Sequence, residues 1–403
     1  MIVLGFLVRR PLGGQAWHYL QYVLGLARLG HDVYYVEDSQ MFEEETSGWC
    51  YDPDGDRWID DPSGGFDFTA KVFDHLGLAE RWAFYDASAA RWHGPAAPKM
   101  PELCRTADLL LNVSAVNPLR EWLVDVPIRV FVDTDPVFTQ VRVLGNPWRI
   151  RLAQQHNVFV TFGENLPAGK SNAPDDGLTW RATRQPVVLE AWPVTAGPAG
   201  GPFTTVMTWD PYSAEEHRGV RYGLKWESLS RYLDLPRLSG QRMEVAVLGT
   251  IPGPVDMREF GWSLREGGGP RDPWEYQAYI RESKGEFSVA KEGYVVGRSG
   301  WFSERSAVYM ASGRPVVVQD TGFSDWMETG RGVLAFSTPE EAAACLEEVS
   351  RDYDRHCRAA RTIAEEYFSA GRVLSRLIET ADDMVQRGTR ERSSAGSRDM
   401  ESS

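Results

Sequence analysis

Apolar positions along the chain come in two spacings that alternate, and each spacing names an element. A continuous run, Ile2 to Val8, predicts a buried strand. Residues 16–29 follow with Leu20, Val23, Leu24 and Ala27 on one helical face, and Gly30 ends that helix. Val33 to Val36 predicts the next strand, which makes the opening a βαβ unit. Further apolar runs at 109–113, 130–132 and 158–162 extend the sheet. Periodicity then stops across 192–202, a stretch of small, Gly- and Pro-rich sequence that predicts a linker. It restarts with strands at 203–207, 243–248, 287–290, 315–318 and 332–335, separated by helical stretches. Thr338-Pro-Glu-Glu341 has the capping-box pattern with proline at the first helical position, and the chain beyond reads as helical to 386. The pattern predicts two doubly wound α/β units, residues 1–195 and 203–386, and a disordered tail at 387–403 that is almost devoid of apolar residues.

One segment combines structure and chemistry. Ser299 to Phe323 reads as loop, helix, tight turn, buried strand and loop. Ser303 is the predicted N-cap, Ala307, Met310 and Ala311 supply an apolar face, and Gly313 and Pro315 end the helix. Val316 to Val318 form a strand buried on both faces, and Gln319-Asp320-Thr321-Gly322 sits at its carboxyl end. Open α/β sheets bind ligands at that edge, and a helix N-terminus favours phosphate. A phosphorylated ligand is therefore expected against Ser303, Glu304, Arg305 and Ser306, with Gln319 to Gly322 beside it.

Composition narrows the classes. Across 403 residues, 42% hydrophobic and 25% charged, a soluble two-domain protein is expected. A first core strand fits the apolar N-terminus better than a signal peptide, because Arg9 and Arg10 follow the run instead of preceding it. No apolar run is long enough for a membrane span. A net charge of −14 argues against a protein that tracks nucleic-acid phosphates. Cysteines 50, 104, 345 and 357 lack metal-site spacing, so free thiols and a cytoplasmic location are expected.

Met310-Ala-Ser-Gly-Arg-Pro-Val-Val-Val318 resembles the turn that follows the donor-binding helix of GT-B glycosyltransferases. Gly330-Arg-Gly-Val-Leu334 and Ser337-Thr-Pro-Glu-Glu-Ala342 are similar to their closing strand and helix. Ser299-Gly-Trp-Phe-Ser303 is similar to a Cys-Gly-Trp-Asn-Ser run in relatives that act on small acceptors, although Gly-x-Pro falls two residues late here. Retaining members often carry glutamates eight residues apart before that turn. The corresponding positions are Gly300 and Val308, and Glu304 between them is the candidate catalytic carboxylate in their place. The resemblance implies a fold of two Rossmann-like units with a cleft between them. It also implies transfer of a hexose from a nucleotide-diphosphate sugar such as a UDP-sugar to a small soluble acceptor, without cofactor or metal. Lys225 or Lys284 would neutralise the leaving diphosphate. Two alternatives stay open: a sugar-nucleotide epimerase of the same fold, and a non-catalytic sugar-nucleotide-binding protein.

On the acceptor side, Gly13 and Gly14 allow close backbone approach, and His18 in the helix after them is a candidate general base. Glu37-Asp38 ends the second strand where a dinucleotide ribose would bind, but the glycines do not complete that fingerprint. Asp133-Thr-Asp135-Pro136 ends a strand with the spacing of the GT-A metal clamp. Within two α/β units Asp135 would instead face the cleft as a base or its orienter. Trp17, Trp209, Trp262 and Trp301 are candidates to stack on a sugar or acceptor ring.

Overall fold

The computed structural model describes residues 1–39, 49–208, 213–248, 255–265 and 268–401. Two largely parallel sheets carry the chain. The first orders its strands Trp180–Ala182, Val158–Thr161, Ile128–Asp133, Leu109–Val113, Ile2–Leu4, Tyr34–Asp38, Trp82–Asp86 and Arg91–His93. Only the last pairing is antiparallel. The second orders Ser263–Leu264, Met243–Leu248, Phe203–Thr208, Gly285–Ser288, Val316–Gln319 and Val333–Phe336, all parallel. Strand order reverses beside Ile2–Leu4 in one sheet and beside Phe203–Thr208 in the other. Crevices open at such reversals, outside the carboxyl ends of the strands.

The first strand is shorter than its apolar run. Gly5 lies so close to the rings of Tyr19 and Tyr35 that an added Cβ would sit 2.5 Å from the latter. The amides of Leu7, Val8 and Arg9 then turn to the carboxylate of Glu37, at 2.7–2.8 Å, instead of to a neighbouring strand. Glu37 is wholly buried and also receives Tyr35 Oη and Arg9 Nε. Asp38 pairs with Arg120 at 2.8 Å. Both carboxylates that the dinucleotide reading needed are thus committed within the protein, Glu37 to the loop and Asp38 to Arg120.

Residues 189–202 hold no helix longer than the one-turn Leu189–Ala191. Thr338 Oγ1 accepts from the Glu341 amide and Glu341 reaches back to the Thr338 amide, closing the capping box. The end of the chain departs from the domain boundaries read from sequence. Helix Ala370–Glu401 leaves the second sheet and packs on helix Gly13–Arg28, with Leu374, Leu377 and Ala381 buried in the first unit's core. Gly25 permits this, because a Cβ there would meet Leu374 Cδ1 at 2.5 Å. The same helix continues through most of the stretch read as a disordered tail. All four cysteines are free thiols.

Candidate functional site

A cavity of about 500 Å³ lies between the two units at the carboxyl ends of both sheets. Its second-unit wall is built on helix Glu304–Ala311. Ser303 caps that helix, its Oγ accepting from the Arg305 amide, and Gly313 ends it with φ 71°. Arg305 turns its guanidinium to the neighbouring strand, where Nε meets the buried Glu286 at 2.6 Å and a terminal nitrogen donates to Ser288 Oγ at 2.7 Å. Burial would lower the Arg305 pKa, but Glu286, with Tyr276 and Glu304 adding to it, raises it overall. Arg305 is therefore a fixed positive charge on the cavity wall.

Lys225 opens helix Lys225–Leu229 and lines the same wall. Among the described residues neither the Lys225 nor the Glu304 side chain forms a hydrogen bond or ion pair. Burial pushes the Lys225 ammonium well below the usual lysine range, and Arg305 adds to the effect while Glu286 opposes it. A desolvated, unpaired cation is costly, and an anion entering the cavity repays that cost.

The first-unit wall holds His18, Ser114 and Thr134. His18 Nε2 lies 3.1 Å from Ser114 Oγ, which lies 2.7 Å from Thr134 Oγ1. Ser114 and Ala115 both take positive φ, 62° and 46°, directly after strand Leu109–Val113. Two consecutive non-glycine residues in the left-handed region store strain, a feature that clusters at active sites. Burial lowers the His18 pKa, and Glu304 from the opposite wall raises it. The imidazole is thereby kept neutral near pH 7 and able to accept a proton.

Asp135 joins the walls. It receives Lys291 Nζ at 2.8 Å and the Tyr294 hydroxyl, both from the second unit, and Arg142 lies at 3.7 Å. It serves as an interdomain anchor at the cavity edge. Asp133 points away into the sheet end, where Thr139 and Thr161 hydroxyls donate at 2.7 Å, with Gln140 and the Asp135 amide beside them. Four donors saturate that carboxylate, so the pair does not form an Asp-x-Asp clamp. Among the described residues no cluster of three or more potential metal ligands exists. Burial raises the Asp133 pKa to about 6 despite those donors. A carboxylate with a raised pKa binds more protons folded than unfolded, so its contribution to stability falls as pH rises from about 4 to 6. That cost is on the order of 3 kcal/mol at neutral pH. Urea denaturation at pH 4 and pH 7 should therefore show a smaller pH dependence in Asp133→Asn than in the wild type.

The remaining sequence candidates divide. Ser306 is buried, and its hydroxyl has no partner among the described residues. Together with Gln319 it faces a small void behind the helix start, and Gln319 Oε1 accepts from the Ala290 amide. Asp320 accepts from Gly322 N and Ser324, and Thr321 donates to the Trp301 carbonyl. Asn165 of the first unit donates to the Gly322 carbonyl at 3.0 Å. This loop is bonded internally and lies outside the main cavity wall. Lys284 sits at the opposite edge of its sheet, bonded to Ser350 and Gln241. It entered the reading because it precedes a strand, and ligand crevices follow strands. Gly13 does allow close approach, but to the protein itself: a Cβ there would meet the Asp272 carbonyl oxygen at 2.2 Å. Gly14 faces the Tyr276 ring and borders the cavity. Gly13→Val should force the units apart, seen as a lower melting temperature and faster hydrogen exchange at 270–276. Trp301 lines the cavity and donates to the Thr134 carbonyl, whereas Trp262 is core and Trp17 packs between the units, donating to Pro273. Trp209 lies outside the described residues.

Sequence reasoning missed Lys291, Tyr294, Ser114 and Thr134. Ser114, Thr134 and Lys291 follow strands at their carboxyl ends and Tyr294 lies on the short helix Glu292–Val296 just after, but single polar residues there carry no spacing signal. Trp58 was also missed as a cavity residue. It sits on hairpin Cys50–Asp52/Arg57–Ile59.

No family model matches the chain, and no curated protein matches it in sequence. Solved structures do match in fold. The Anabaena protein Alr3699/HepE in complex with UDP-glucose aligns at TM-score 0.56 and 12% identity, covering 95% of this chain and 99% of its own. An alpha-glucosyltransferase in complex with UDP and a 13-mer DNA aligns at TM-score 0.51 and 12% identity, covering 94% and 98%. The fold is the GT-B arrangement of two Rossmann-like units.

Proposed function

We propose that this chain is a metal-independent glycosyltransferase that moves a hexose from a UDP-sugar to a small soluble acceptor. The observation that carries this reading is the Lys225 ammonium, unpaired among the described residues, beside Arg305 at the start of helix Glu304–Ala311 inside the interdomain cavity. Fixed positive charge and helix amides suit a diphosphate. UDP-glucose in one structural neighbour and UDP in the other support uridine as the base.

In this mechanism the acceptor hydroxyl gives its proton to Ser114 Oγ while the Ser114 proton passes to His18 Nε2, and the acceptor oxygen attacks the anomeric carbon. The bond from that carbon to the phosphate oxygen breaks, and the negative charge on the departing UDP is met by Lys225 and Arg305. Glu304, opposite His18, stabilises the imidazolium that forms. No bound metal is required, since the cavity wall supplies the cations itself. The cellular location that follows is the cytoplasm, where nucleotide sugars are available. Among the described residues no helix is long and apolar enough to cross a membrane.

Thermal-shift screening tests the donor half. UDP should raise the melting temperature of the wild type by mass action, and more than ADP, GDP, CDP or TDP. Ser303→Ala/Arg305→Ala should abolish the rise. A shift with NAD(H) alone, or with no nucleotide, would contradict the proposal.

A further inference from the structure

Positive charge is in surplus on both sides of the cavity wall. Among the described residues lining it, six are cationic (Arg10, Arg142, Arg149, Lys225, Lys291 and Arg305) and two are carboxylates, Asp135 and Glu304. This surplus occurs in a chain of net charge −14. The donor reading uses the second-unit cations, with Glu286 behind Arg305 and Asp135 against Lys291. Three arginines remain on the first-unit side, where no diphosphate is placed. Arg10 follows the first strand's loop, and Arg142 and Arg149 lie on helices Phe138–Gly145 and Pro147–Gln154.

Each of these arginines keeps contacts within the protein. Arg142 pairs with Glu215 at 2.8 Å, Arg10 lies over the Tyr51 ring, and Arg149 lies over Trp148. A guanidinium has five donors in one plane, so it can hold such a contact and still present a fork to a carboxylate or phosphate. Between the arginines the wall is apolar and aromatic, formed by Phe6, Trp58, Phe131 and Val116. Phe6 and Trp58 have ring centroids 6.4 Å apart, and Trp58 meets Tyr51 edge-on. Rings of this kind pack against a flat apolar body.

Resting on the transferase reading, we infer that the acceptor is a small hydroxylated acid: an apolar ring body bearing a carboxylate, phosphate or sulfate. The anion is held by Arg10 and Arg149, the ring lies against Trp58 and Phe6, and the reacting hydroxyl points to Ser114 and His18. A nucleic acid would bring phosphates too, but it would need cations continuing over the surface of an acidic chain.

Calorimetry on the full chain, with and without saturating UDP, tests this. The probes are 4-hydroxyphenylacetate, 4-hydroxyphenyl phosphate and 4-hydroxybenzenesulfonate, with methyl 4-hydroxyphenylacetate as the neutral counterpart and a 13-nucleotide single-stranded DNA. At least one acid should bind tenfold or more tightly than the ester. Arg10→Gln and Arg149→Gln should each cut that preference about tenfold and leave UDP affinity within twofold. Arg57→Gln, exposed on the same hairpin and outside the cavity, should change neither. The inference falls if the ester matches every acid, if no acid binds, if both cavity-arginine variants keep the preference, or if the DNA binds more tightly than the acids. Loss of UDP binding alone, with acid binding intact in the absence of UDP, would contradict the donor reading and leave the acid site standing.

Discussion

Lys225→Met should lower kcat/KM for sugar transfer about 10²- to 10³-fold, the range seen when one preorganised electrostatic donor is removed. The melting temperature should hold or rise. Lys225 lies in the cavity wall without a hydrogen bond or ion pair among the described residues, and burial depresses its pKa well below the usual lysine range. A lysine with a depressed folded pKa binds fewer protons folded than unfolded between the folded pKa and about 10.5. Stability is therefore lost as pH falls through that window, and the full cost remains at lower pH. Methionine keeps the apolar stem and removes the charge, which relieves this cost while depriving the leaving diphosphate of a cation. A structural lysine would behave oppositely, losing stability on substitution with little change in turnover. Measuring melting temperature at pH 6 and pH 10 beside steady-state kinetics separates the two.

His18→Gln should lower kcat about 10²- to 10⁴-fold, the usual worth of a positioned general base. The base works only when deprotonated, so wild-type activity should fall as pH drops through the His18 pKa. Burial holds that pKa below 6.5, and the acid limb should therefore lie below the ordinary histidine range. Glu304 opposes the shift from across the cavity, so Glu304→Gln should move the limb to still lower pH without erasing it. In His18→Gln the limb should disappear. A merely structural Glu304 would leave the position of the limb unchanged.

Strands and caps were legible because they depend on local pattern. The valine run at 316–318 had to be buried on both faces, and Ser303, Gly313 and Thr338 mark helix ends by their own chemistry. The helix start at Ser303 to Arg305, which lines the cavity, was legible as a helix start for the same reason. Interdomain contacts were not. Nothing local shows that Gly13 faces Asp272, that Asp135 meets Lys291, or that the last helix returns to Gly25, because each pairing joins residues more than 130 positions apart. The Asp133/Asp135 pair shows the difference well. Its spacing suggested two equivalent carboxylates, but the strand turns one into the sheet end and the other into the cleft.

The measurement that tests the central claim most directly is release of UDP from UDP-glucose by the purified full chain, followed by a coupled UDP assay with and without a hydroxyaryl acid. UDP should appear slowly with UDP-glucose alone, faster with an acceptor, and far more slowly in Lys225→Met and His18→Gln. If UDP binds with no release under any condition, the chain is a binding protein. If UDP neither binds nor is released, the transferase account is wrong.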